Sequence, residues 1–100
     1  MRRVEWAESA LADIRAQLEY IAAQDPQAAR KVANAIGQTG AALGEFATGH
    51  PGRVAGTCEK SVRGLPYIIA YALTDRDRTV SILRVIHTAR DWAEGGWPEG

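Results

Sequence analysis

YIIAYALTDRDRTVSILRVIH, residues 67–87, decides the fold of this chain. Tyr67 to Leu73 and Thr79 to His87 are runs rich in β-branched and aromatic residues, the side chains that pack well on a pleated sheet. Asp75-Arg76-Asp77-Arg78 lies between them, a polar interval short enough to be a turn, so the two runs form an antiparallel pair. Upstream, Val54 to Val62 reads as a further strand, joined to Tyr67 by a turn at Arg63-Gly64-Leu65-Pro66. Three consecutive strands with short turns make an antiparallel meander.

The first half of the chain has a different period. Met1 to Trp6 alternates, with Val4 and Trp6 on one parity and Arg3 and Glu5 on the other, as in a strand exposed on one side. From Glu8 the apolar residues Leu11, Ile14, Leu18 and Ile21 fall three and four apart, the spacing of an amphipathic helix that ends near Gln24. Asp25-Pro26 restarts the chain, because Asp25 can cap the free amides of a new helix and Pro26 suits its first position. That second helix is predicted from Pro26 to about Phe46, with Gly37, Gly40 and Gly44 on one side, where either a neighbour approaches closely or the helix frays or breaks at Gly40. Thr48 to Gly52 is a loop by composition. The order is therefore β-α-α-β-β-β, an α+β domain over residues 1–100 in which an N-terminal strand and a helical hairpin pack on one face of a small antiparallel sheet.

Composition narrows the function classes. The 100 residues are 46% hydrophobic and 24% charged, which is ordinary for one globular core. Twelve Lys and Arg balance twelve Asp and Glu, whereas a protein that lives on phosphate backbones carries an excess of cations. DNA contact is therefore expected only through a partner. Cys58 is the single cysteine and no Cys/His spacing fits zinc, so neither a disulfide, a metal nor a cofactor is expected. No secretory signal and no membrane-length apolar run are present, which points to the cytoplasm.

The residues that could carry chemistry gather where the strands end. His87 stops the last strand, and a histidine titrates near neutral pH without help. Arg63, Arg84 and Arg90 could converge on one side of the sheet end, with Tyr67 and Tyr71 alternating on the adjacent strand. Arginines beside aromatics can bind phosphate or stack on bases, but more often they are a solvated face over half-buried tyrosines, and the zero net charge favours that account. Asp91 could pair with Arg90 or Arg84, and Trp92 reads as a core or interface anchor. Glu59 and Lys60 lie on opposite faces of their strand. Cys58 reads as a small buried residue, and no phosphate loop or nucleophile elbow is present.

The pattern resembles the RelE/ParE superfamily of toxins from bacterial type II toxin-antitoxin modules. The resemblance covers nearly the whole chain and is carried by GRVAGTCE (52–59), GLPYIIAY (64–71) and ILRVIHTARDW (82–92), with an opening helix in the style of ESALADI (8–14). It implies a toxin held inactive by a cognate antitoxin in a hetero-oligomer. Two activities compete within the superfamily: ParE-like members poison DNA gyrase by binding, and RelE-like members enter the ribosome and cleave mRNA. Glu59, Ser61 and Ile68 stand where the RNA-cleaving members carry cations, which favours the gyrase inhibitor and a non-enzyme. In the alternative His87, Arg90 and Arg63 are the catalytic candidates; a third reading is a decayed toxin that serves only as antitoxin partner. By resemblance, Arg63, Tyr67, Tyr71, Arg84, His87, Arg90 and Trp92 form the target or antitoxin surface. Cys58 stands where many relatives have arginine, and Ala93 where many have proline.

Overall fold

The structure, a computed structural model, describes residues 1–89. Its elements are β1 (Arg3–Trp6), α1 (Glu8–Ala22), α2 (Pro26–Glu45), β2 (His50–Pro51), β3 (Cys58–Ser61), β4 (Tyr67–Thr74) and β5 (Thr79–His87). The α1–α2 break falls where the sequence places it. The Asp25 carboxylate accepts the backbone N–H groups of Gln27 and Ala28, each at 3.1 Å, and Pro26 occupies the first turn. Two of the free amides of α2 are thereby satisfied.

The sheet order is β1-β5-β4-β3-β2. The meander β3-β4-β5 is antiparallel as the turns predict, with Tyr67 opposite His87 and Thr74 opposite Thr79. β1 joins it in parallel with β5, from Arg3 opposite Thr79 to Trp6 opposite Ile82, so the five-stranded sheet is mixed rather than antiparallel throughout. A parallel partner requires a long crossover, and the helical hairpin provides most of it.

Two local boundaries differ from the sequence reading. His50 and Pro51 pair with Glu59 and Cys58 as the short edge strand β2, inside the stretch read as a loop. Two residues are too few to show a period. β3 begins only at Cys58, because residues 52–57 curl back on themselves: Gly52 N–H bonds the Thr57 carbonyl at 2.8 Å and Thr57 N–H bonds that of Val54 at 3.1 Å. At the other end of the sheet the β4–β5 turn holds Asp75, Arg76 and Asp77 at φ of 52°, 56° and 63°. Left-handed backbone is unfavourable for residues with a Cβ. Two contacts from the N-terminus hold this turn, the Arg2 side-chain Nε donating to the Asp77 carbonyl at 2.7 Å and the Arg3 backbone N–H to that of Arg78 at 3.0 Å.

The core lies between the hairpin and one face of the sheet. Ile36 and Leu43 of α2, Ile69 and Tyr71 of β4, and Val80, Ile82 and Val85 of β5 are all within 1% of complete burial. Close approach of α2 to the sheet depends on glycine. A Cβ on Gly40 would overlap the Trp6 indole and meet Ile82 Cδ1, and one on Gly44 would lie 2.9 Å from both Val4 Cγ2 and the Arg2 carbonyl. Gly37 is different, since nothing lies within 4 Å of its Cβ position. The three glycines share a helical spacing but not a role.

This gives a paired prediction. Gly37→Ala should raise stability by about 0.5–1 kcal/mol through helix propensity alone. Gly40→Ala should lower it by about 1–3 kcal/mol through overpacking. Urea unfolding of the two variants side by side checks both signs.

Candidate site at the end of the sheet

β1 ends at Trp6, but β5 continues to His87, so the outer half of β5 has no strand on that side. Helix α1 takes its place. After Ala7 N–H bonds the Ile82 carbonyl at 2.8 Å, Ser9 Oγ donates to the Leu83 carbonyl at 2.6 Å. One helical turn later the Asp13 carboxylate accepts the Val85 N–H at 2.9 Å. The same carboxylate takes two bonds from Arg84, Nε at 2.8 Å and a terminal guanidinium nitrogen at 3.0 Å. Ladder pairing shifts at this point, between Ala70 and Tyr71 opposite Arg84 and Ile82, which leaves Leu83 as the extra residue of a bulge. Bulges leave backbone groups unpaired. Ser9 and Asp13 supply partners for two such groups, and among the described residues no buried side-chain N or O atom lacks one.

The end of the sheet is closed by two backbone ties. Val62 N–H bonds the Tyr67 carbonyl at 2.9 Å across the β3–β4 turn, and Thr88 N–H bonds the Pro66 carbonyl, also at 2.9 Å. They bring the turn carrying Arg63 to the same end as His87. Arg63 is exposed. The His87 ring stands edge-on to Tyr67, with centroids 5.2 Å apart and planes at 89°. Its Nδ1 accepts the Ala89 N–H at 3.2 Å, which in the neutral ring puts the proton on Nε2. The arrangement offers an aromatic-backed imidazole and an exposed guanidinium, groups suited to recognition and, in principle, to proton transfer.

Three expected surface residues sit elsewhere. Tyr67 is 3% exposed and Tyr71 1%, so both are core residues: with Ile69 they share the parity that faces the helices. Arg84 is drawn to α1 by Asp13, with a side chain only 16% exposed. Asp91, Arg90 and Trp92 lie outside the described residues. Ser9 and Asp13 were missed, although two polar residues four apart beside an apolar stripe are the available signal.

Tyr71 is a structural tie. Its hydroxyl donates to the Thr48 carbonyl at 2.6 Å, fastening the segment between α2 and β2. Burial pushes its phenol up to about 12, helped by the neighbouring Cys58 thiol and opposed by Arg2. Cys58 is half-buried, consistent with a packing residue. Glu59 is the surprise of β3: it is 3% exposed, and its carboxylate accepts the Arg53 N–H at 3.0 Å. Among the described residues no grouping of three or more His, Cys, Asp or Glu could hold a metal, and no helix is long and apolar enough to cross a membrane.

Comparison with known proteins places this geometry in a family. Residues 4–92 match the family described as the ParE toxin of the type II toxin-antitoxin system parDE. A Sinorhizobium fredii protein named "Putative toxin Y4kP" is 37% identical over 94 residues, covering 93% of this chain and 95% of that protein. Among solved structures, a chain of the chromosomal ParDE system of P. aeruginosa superposes with a TM-score of 0.79 at 22% identity, covering 87% of this chain and 96% of that one. A chain of the toxin-antitoxin complex RelBE2 of Mycobacterium tuberculosis gives 0.54 at 28% identity, covering 86% and 96%.

Two measurements test the geometry. Asp13→Ala removes the acceptor shared by Arg84 and the Val85 amide in a partly buried setting, so it should cost about 2–4 kcal/mol. Asp13→Ala with Arg84→Ala together should cost clearly less than the sum of the singles, as coupled partners do. For Tyr71, a raised phenol favours the folded state while it stays neutral. That contribution is complete below pH 10 and is lost as pH rises toward about 12. Tyr71→Phe should remove this alkaline component of the stability-pH curve, while costing about 1 kcal/mol at neutral pH for the lost bond to Thr48.

Proposed function

Because the chain belongs to the ParE family of type II toxin-antitoxin toxins, we propose that it arrests growth by binding and poisoning DNA gyrase, and that a cognate antitoxin neutralises it in the cytoplasm. The observation that carries this reading is the bidentate grip of Asp13 on Arg84. Cleavage of an RNA backbone needs positive charge around the phosphate in the transition state. Here Arg84, one of the three arginines expected to converge at the sheet end, is paired with Asp13, and strand β3 carries a buried carboxylate, Glu59. A surface with this charge pattern is better suited to contact with a protein than to cutting a polyanion. Antitoxin partnership is supported by the relatives, since the matched solved chains come from a ParDE system and a RelBE2 complex.

The ribosome-dependent endoribonuclease is the second reading, favoured by one feature: the backbone ties that set His87 and the Arg63 turn at the same end of the sheet. Primer extension on messages from expressing cells separates the two. Codon-phased cuts would support the ribonuclease, and uncut message during growth arrest would exclude it.

The main reading predicts that the purified protein blocks gyrase supercoiling or traps cleaved DNA in vitro. No effect at stoichiometric excess overturns it. Normal growth on expression without the antitoxin would instead identify a decayed toxin that survives as a partner subunit.

A further inference from the structure

Successive strand residues point to opposite faces of a sheet. Tyr67, Ile69 and Tyr71 of β4 and Val80, Ile82 and Val85 of β5 point to the helices and share one core cluster with Ala10, Ile36 and Leu43. Ile68 and Ala70, with Ile86 and Arg84 opposite them, therefore point to the other face. An antiparallel sheet with one face on the core commonly leaves the other to water. Ile86 and Ala70 are nonetheless both 0% exposed, and neither belongs to the cluster under the helices. Burial across this outer face rises toward β5: in the row Ser61, Ile68, Ile86 the first is exposed, the second half-buried and the third buried. The curl of residues 52–57, which reaches Glu59 through the Arg53 N–H, sits on the β3 side. That is two strands, about 10 Å, from Ile86. Arg84, the neighbour of Ile86 on this face, has its guanidinium turned to Asp13 at the strand edge. The cover over Ile86 therefore comes from the β5 side, where the chain leaves the sheet.

We infer that the outer face of the sheet is a docking surface for the chain's own C-terminal segment, residues 90–100, with Trp92 seated over Ile86 and Ala70. Both residues are buried within the single chain, so neither a second copy nor a foreign partner is needed to cover them. Thr88 and Ala89 form a turn, with Thr88 N–H on the Pro66 carbonyl and Ala89 N–H on His87 Nδ1. A chain that reverses there brings residues 91–93 back level with Ile86 to Arg84, and Arg84 is paired with Ala70. Trp92 is the middle residue of that return, and Ala70 and Ala72, both on the outer face, leave room for a ring. An indole covers a large apolar area at one stroke. Trp92, expected on the target or antitoxin surface, is then a fastening residue, and the segment closes the outer face to partners. The inference is independent of the gyrase reading.

The test uses the full chain and needs no target. Nuclear Overhauser contacts in isotopically labelled protein should join the Trp92 indole to methyl groups of Ile86 and Ala70, with those methyl signals shifted upfield by the ring, and should persist on dilution. Methyl groups without contact to residues 90–100 overturn the inference. Contacts that pass only between differently labelled copies overturn it too, and make the face a dimer surface. Trp92→Ala should lower the urea midpoint by about 1–3 M, whereas Phe46→Ala, which removes an exposed ring, should leave it unchanged. A Trp92→Ala midpoint equal to that of the unaltered protein overturns Trp92 as the fastening residue. If Trp92→Ala does not fold, the contacts in the unaltered protein decide.

Discussion

The rest of the fold depends on how the free edge of β5 is closed. β5 links the parallel and antiparallel parts of the sheet, paired with β4 on one side and with β1 on the other, yet β1 covers only its first half. Beyond Ile82 the strand would present unpaired backbone groups beside a bulge, an arrangement that invites pairing with other chains. Ser9 and Asp13 prevent this from within the molecule. A single carboxylate satisfies a strand amide and an arginine together, and so fixes where α1 lies, how far it runs beside the strand and which way Arg84 points.

From that constraint the division of labour between the two helices follows. α1 works at the edge through polar contacts, and only Ala10 of its residues is fully buried. α2 works over the face through close packing, where Gly40 admits the Trp6 ring and Gly44 admits Val4. One helix therefore runs along the sheet edge, and the other lays one buried face on the core.

The electrostatic character of the site has the same origin. An arginine in a strand beside a histidine reads, in one dimension, as a cationic cluster for phosphate. In three dimensions the carboxylate that neutralises it comes from a helix 71 positions earlier. The long separation is why no local pattern could reveal it. Burial of Glu59 is hidden for a related reason: alternation distinguishes the two faces of β3, but which residues cover the outer one depends on the curl of the Arg53 segment.

The sequence by itself determined the element order, the cap that splits the helices, the meander and the family resemblance, because each is written in short-range patterns: periods of two and 3.6, a capping residue beside a proline, polar turns between apolar runs. Tertiary structure decided what those patterns cannot encode. It made β1 a parallel neighbour of β5, buried Tyr67 and Tyr71 that seemed surface residues, paired Arg84 with Asp13, and left Gly37 open while Gly40 and Gly44 are closely packed. Each of these is a contact between residues far apart in the chain, and such contacts are set by the packing of whole elements rather than by the residues next to them.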